Sequence, residues 1–257
     1  MNNFTYERLH NNLQYLKLDT IEDILDNYLE LAAKDSKTTM EVLDYLLEQE
    51  RKKRDAAATN RRMKCASFPI KKTLEEFNFD FQPSIERSVI KDLATLRFIH
   101  NAENLVLLGP PGVGKSHIAI ALGIEAVNAG FSAYFVNTSN LIEKLKKANK
   151  EGTLEKRIKD FTKYKLLIID EMGYLPFDEE GAHCLFQLIS KRYERSSTIF
   201  TSNKSYGEWG EVFKDHVIAA AVLDRILHHC ITINIKGESY RLKERKKQGI
   251  KTGLIQA

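Results

Sequence analysis

The sequence predicts an α/β fold: a parallel sheet flanked by helices, preceded by a small all-helical N-terminal domain. Three observations lead there. From residue 84 onward, stretches of helical period alternate with short apolar runs, the pattern of strand–helix–strand units. One of those runs, Leu166-Leu167-Ile168-Ile169, is continuously apolar, as strands covered on both faces are. Glycine marks a change of region: none occurs in residues 1–108, and all 13 lie from Gly109 onward. We divide the chain into a helical domain over residues 1–65 and an α/β domain over residues 66–257.

Taken in order, the first 65 residues read as helix. Leu9, Leu13 and Leu16 fall on one face, as do Ile21, Ile24, Leu25, Tyr28 and Leu29. Thr20 followed by Asp23 resembles a capping box at a helix start. Met40, Leu43, Leu46 and Leu47 make a third apolar stripe that runs into a basic segment. A bundle this small buries little core and is expected to lean on a partner or a neighbouring subunit. Residues 61–83, with Phe68-Pro69 and then Phe77, Phe79 and Phe81, read as a linker entering the second domain. Helical periodicity then fills Ile85–Ile99, followed by strand Leu105–Leu108, helix His117–Ala129 ended by Gly130, and strand Ala133–Val136. Helices over 139–163, strand Leu166–Ile169, a helix over 178–195, strand Thr198–Thr201, a helix over 216–228 and strand Ile231–Ile235 complete the set.

Composition excludes several classes. A chain that is 43% hydrophobic and 29% charged is neither disordered nor collagen-like. No run approaches the roughly 18 apolar residues of a membrane helix, and Met1–His10 lacks the apolar stretch of a secretory signal. Cys65, Cys184 and Cys230 are odd in number and far apart, which excludes a disulfide scaffold. They point to a reducing compartment, so a cytoplasmic protein without membrane association is expected.

The net charge of +4 hides a strong asymmetry. Residues 1–50 carry 4 basic and 11 acidic side chains. Residues 51–72 carry nine basic ones (Arg51, Lys52, Lys53, Arg54, Arg61, Arg62, Lys64, Lys71 and Lys72) against Asp55 alone. Residues 143–165 carry nine against four, and the tail Arg241–Lys247 five against one. Such clusters are the footprint expected for phosphate backbones, with solvated helix faces as the alternative. Arg51, Lys52, Lys53, Arg54, Arg61 and Arg62 are the candidate DNA contacts.

Gly109-Pro110-Pro111-Gly112-Val113-Gly114-Lys115-Ser116 matches G-x-x-x-x-G-K-[ST] in full, with an apolar strand before it and a helix after it. Glycines let the backbone fold tightly, so that its N–H groups converge on phosphate oxygens at a helix start. Lys115 supplies a cation to the terminal phosphates, and the Ser116 hydroxyl ligates Mg²⁺. Leu166–Ile169 delivers Asp170 and Glu171 to the carboxyl end of a strand, where open α/β sheets bind ligands. Asp170 is placed to hold Mg²⁺, and Glu171 to orient and polarise the attacking water. Asn203-Lys204-Ser205-Tyr206 lacks the aspartate of a guanine-reading Asn-Lys-x-Asp segment, which favours ATP.

Asn203 follows a strand expected beside that of Asp170. It is a candidate for positioning water or touching the γ-phosphate, with a turn-forming Asn as the alternative. Arg225, at the end of an Ala/Val-rich helix, is a candidate arginine finger for a neighbouring subunit, with an ion pair to Asp224 as the alternative. Arg241, beyond the last strand, is a weaker candidate for a second nucleotide sensor. His228-His229-Cys230 does not read as a metal site, because adjacent residues point to different faces and no partner pair stands at ligand spacing. Cys184 and Trp209 read as packing.

Taken together, these pieces resemble the AAA+ ATPases. More closely, the chain is similar to the IstB-like transposition helper ATPases, relatives of the DnaC helicase loaders. Ser67-Phe68-Pro69, Lys72–Phe77, Asn104–His117, Asp170-Glu171-Met172-Gly173-Tyr174-Leu175-Pro176 and Gly237-Glu238-Ser239-Tyr240-Arg241 carry the resemblance. It extends the nucleotide-contacting stretch to His117. It implies an ATPase that oligomerises on duplex DNA with its ATP sites between subunits, where Arg225 completes the neighbour's site. It also implies remodelling of target DNA and recruitment and stimulation of a cognate transposase, with the basic segments lining a DNA path. The alternative role is a replicative helicase loader acting on single-stranded DNA. The sequence runs only 22 residues past Ile235, and on that length no separate helical lid is expected.

Overall fold

The computed structural model describes residues 3–247, and the side chains of residues 4–243. The last four residues of the basic tail Arg241–Lys247 therefore lie outside the described side chains. The chain parts into two compact units, one up to Arg61 and one from Arg62.

In the first unit, α1 (Asn3–Tyr15), α2 (Asp19–Lys34) and α3 (Thr39–Cys65, whose last residues belong to the second unit) close around Leu13, Ile21, Leu25 and Leu46. Three helices of this size have only one inner face. Leu9, Leu16, Met40, Leu43 and Leu47 are accordingly exposed, although they share the predicted apolar stripes. The predicted Thr20/Asp23 capping box does not form. The backbone N–H groups of Thr20 and Ile21 donate instead to the buried carboxylate of Glu50 on α3, at 2.9 and 3.3 Å. Burial alone would raise the pKa of Glu50. The Arg54 guanidinium at 2.7 Å and the bonds from Thr20 and Ile21 outweigh burial and hold it below the ordinary carboxylate range.

In the second unit, the continuous apolar period over Ile85–Ile99 belongs to two helices, α4 (Arg87–Ala94) and α5 (Arg97–His100). Leu96, at φ +62, breaks the backbone between them while Leu93, Phe98 and Ile99 stay buried. There follow β1 (Asn104–Leu108), α6 (Lys115–Asn128), β2 (Ala133–Asn137), α7 (Thr138–Lys150), α8 (Leu154–Thr162), β3 (Leu166–Met172) and α9 (Glu179–Arg192). The unit closes with β4 (Ser197–Ser202), α10 (Trp209–Phe213), α11 (His216–Leu227), β5 (Cys230–Asn234) and α12 (Tyr240–Lys247).

The five strands pair in parallel in the order β2-β3-β4-β1-β5. Strand alternation sends Leu105, Leu107, Ile168 and Ile199 into one core, and Val106, Leu108, Leu167, Ile169 and Phe200 into the other. Both faces are thus covered, which accounts for the uninterrupted apolar runs. Cys184 and Trp209 are core residues. Arg192 on α9 is buried and has no carboxylate partner among the described residues. It donates to the carbonyls of Phe161, Tyr164 and Ser197 and to Thr198 Oγ1, which ties the entries of β3 and β4 together. Burial pushes its pKa down to about 9, still cationic near neutrality. Among the described residues, no helix is long and apolar enough to cross a membrane.

Candidate functional site

The site forms where β1, β3 and β4 end on the carboxyl edge of the sheet. After Leu108 the chain turns through Gly109–Gly114 into α6. Gly112 has φ +81, and a Cβ there would sit 2.1 Å from Ser239 Oγ. Gly114 has φ +102, and a Cβ would sit 2.5 Å from the Phe77 ring. Only glycine meets both the left-handed backbone and the close approach. The loop is braced from behind, where the Tyr240 N–H donates to the Gly112 carbonyl at 3.0 Å.

Lys115 is partly buried and folds back on the loop, donating to the carbonyls of Gly109 (2.6 Å) and Pro110 (2.8 Å). Burial lowers its pKa; Asp170 opposes that effect, Arg241 adds to it, and Glu171 opposes it. Ser116 Oγ donates to Asp170 Oδ1 at 2.7 Å, and Thr201 Oγ1 donates to the same oxygen at 2.5 Å. Thr138 Oγ1 donates to the Asp170 carbonyl at 2.7 Å. Asp170 is 7% exposed, so its carboxylate sits in a shell of hydroxyls at the mouth of the loop.

Glu171 is placed by an irregularity in the sheet. Ile169 pairs with Phe200 and Met172 with Ser202, so Asp170 and Glu171 together face the single residue Thr201. This bulge puts Glu171 at φ +60 and leaves it exposed beside a buried Asp170. Its N–H donates to Thr201 Oγ1 at 2.9 Å, and its carboxylate accepts a hydrogen bond from the Asn137 amide. The other end of that amide, Asn137 Oδ1, accepts from the Ser139 N–H at 3.0 Å and caps α7. Sequence reading missed Asn137; the signal was a polar residue ending the apolar run of β2.

A cleft of about 850 Å³ opens over the loop. Asn203 and Arg241 both line it, together with Lys115, Ser116, Glu171 and Thr201. His117 lines it too, with Nε2 2.7 Å from the Thr73 carbonyl and its ring edge-on to Phe77. The far wall comes from the segment read as a linker, through Ile70, Lys72, Phe77 and Phe81, and from Tyr240 at the start of α12. The donor set fits a hard divalent cation. Ser116 Oγ and an Asp170 carboxylate oxygen lie 2.7 Å apart, both oxygen ligands of the kind Mg²⁺ takes.

Arg225 lies elsewhere. The Ile226 carbonyl accepts from Asn104 Nδ2 at 3.0 Å, so this end of α11 abuts the first residue of β1. The phosphate loop leaves the other end of that strand, about 13 Å away at ~3.3 Å per residue. The Arg225 guanidinium donates to the Ala221 carbonyl at 2.9 Å and stacks over the Phe186 ring at 4.7 Å.

Four of the six basic candidates of α3 are paired within their own unit. Arg51 meets Glu48 and Asp55, Lys52 meets Glu48, Lys53 meets Asp23, and Arg54 meets Glu50. Arg54 also donates to the Lys17 carbonyl, a structural role that the charge count did not foresee. Arg61 is exposed and Arg62 half-buried.

Comparison with known proteins matches residues 11–248 to the family described as IstB-like ATP binding protein. The chain is 48% identical over 240 residues to the IS21 insertion-sequence ATP-binding protein of Pseudomonas aeruginosa, covering 93% of this chain and 91% of that one. It is 45% identical to the IS5376 ATP-binding protein of Geobacillus stearothermophilus, covering 94% and 96%. Among solved structures, that of DnaI superposes with a TM-score of 0.54 at 21% identity, over 65% of this chain and 92% of that one.

Proposed function

Because the chain belongs to the IstB-like ATP-binding family, an AAA+ P-loop lineage associated with insertion sequences, we propose that it is an ATP-hydrolysing transposition helper. In this reading it oligomerises on duplex DNA, remodels the target, and recruits and stimulates its transposase. One observation carries the reading: a complete phosphate-binding and acidic constellation on one edge of the sheet, with Arg225 on the opposite edge.

The chemistry follows from the contacts. The bonds from Lys115 to the Gly109 and Pro110 carbonyls exchange for phosphate oxygens when ATP enters, and a polyanion relieves the burial cost of the cation. Ser116 and Asp170 would hold Mg²⁺, which when bound neutralises charge on the β- and γ-phosphates. Glu171 takes a proton from the attacking water once its carboxylate is freed from the Asn137 amide. Asn203 lines the cleft just past the end of the strand next to that of Asp170 and positions that water or the γ-phosphate. Arg225 lies beyond reach of its own site and supplies its charge to a neighbouring copy. Arg241, close enough to Lys115 to lower its pKa, reads the bound nucleotide from the other wall.

For DNA contact, the exposed cations of α8, Lys156, Arg157 and Lys159, have no ion pair within 4 Å among the described residues, whereas Arg51–Arg54 are all paired. The α8 face and Arg61 are therefore favoured over residues 51–54.

Sizing the protein with ATP and equal lengths of duplex or single-stranded DNA tests the reading. A large ATP-dependent assembly on duplex is expected. Preference for single strands selects the helicase-loader role, and no nucleotide-dependent assembly removes the trans-acting role of Arg225.

A further inference from the structure

We propose that Glu194, His228 and His229 form a binding site for a divalent transition-metal ion of the Zn²⁺ class, at the edge of the sheet opposite the phosphate loop. Adjacent histidines diverge in a regular strand or helix, but these two occupy the turn between α11 and β5. Their ring centroids lie 4.1 Å apart. Glu194, in the turn after α9 at φ +56, faces both. Its Oε1 lies 3.6 Å from His228 Nδ1 and 3.5 Å from His229 Nε2. All three ligand atoms fall within 4.8 Å of one another.

Those separations suit a shared ion. Ligands at about 2.1 Å from a tetrahedral centre stand about 3.4 Å apart. Two imidazoles and one carboxylate favour Zn²⁺, Ni²⁺ or Cu²⁺ over Mg²⁺ or Ca²⁺, so the site is chemically distinct from Ser116 and Asp170. The three side chains are exposed and can be filled from solvent. Binding at Nδ1 displaces the Tyr193 hydroxyl, which now lies 2.8 Å from that nitrogen. A bound ion clips the turn after α9 to the turn after α11, three residues beyond Arg225. It therefore stiffens the helix end that carries the arginine.

The test is calorimetric titration of the tag-free, nucleotide-free full chain with Zn²⁺ in excess Mg²⁺. One ion per chain is expected, with Tm rising by roughly 5 °C at about 100 times Kd. The variant His228→Ala/His229→Ala should lose both effects, and Cys65→Ser/Cys230→Ser should keep them. Saturable binding that survives in the double-histidine variant, competition by Mg²⁺, or no saturable binding by the wild type would overturn the assignment. No outcome depends on ATP turnover, so the proposed function is judged separately.

Discussion

The two edges of the parallel sheet differ in what they hold. The carboxyl edge joins Ser116, Asp170, Thr201, Glu171 and Asn137 through hydrogen bonds, beside a cleft that Lys115 and Asn203 line. The amino edge holds Arg225 over Phe186 and, beyond it, the Glu194, His228 and His229 cluster. A parallel sheet explains the division, because all strands deliver their last residues to one side and their helices return to the other. A single copy thus holds the nucleotide-loop residues at one edge and Arg225 at the other, and the proposed function turns on whether that arginine serves a neighbouring copy.

Substitutions at four positions break or sharpen this contrast. Lys115→Ala acts wholly on the carboxyl edge. Loss of charge-assisted bonds to phosphate should cut ATP affinity by about 10- to 100-fold, read by fluorescent-nucleotide titration; unchanged affinity refutes the loop assignment. Arg225→Ala acts wholly on the amino edge. It should leave ATP affinity intact and reduce turnover by about 10³-fold. Mixing it with Lys115→Ala protein should restore some turnover, since one mixed interface then pairs an intact loop with an intact arginine. No rescue would confine Arg225 to its contact with Phe186.

Glu171→Gln should keep ATP bound and slow hydrolysis by about 10²-fold or more, checked by single-turnover kinetics; wild-type turnover would remove Glu171 from proton transfer. Asn137→Asp has the smallest expected effect. It retains the Oδ1 that caps α7 and loses the amide that holds Glu171. Basal turnover without DNA should rise a few-fold at unchanged Tm, whereas Asn137→Ala should also lose about 1 kcal/mol of stability with the cap. Equal basal rates in Asn137→Asp and wild type would deny the amide any hold on Glu171.

Much of the fold was legible because its signals are local. The run Leu166–Ile169, the glycine boundary at Gly109 and the break at Gly130 each state a backbone preference that tertiary contacts did not override. Every strand begins within one residue of its expected start. The phosphate loop was legible for the same reason, since its spacing encodes one backbone path. One reading failed because the deciding contact is remote in sequence. The start of α2 is capped by Glu50 rather than by Asp23. Arg54, counted as surface charge, serves that same carboxylate.

By itself, the sequence determined the alternation of helix and strand, the nucleotide loop and the acidic pair that answers it, since each depends on residue type at short spacing. Only the tertiary structure decided which charges are spent on neighbours, that the 66–83 segment walls the cleft, and that a bulge turns Glu171 toward Asn137. It also decided that Arg225 stands a strand's length from its own loop. Those outcomes depend on which elements pack together, and packing couples residues 30 to 150 positions apart whose identities carry no local trace of one another.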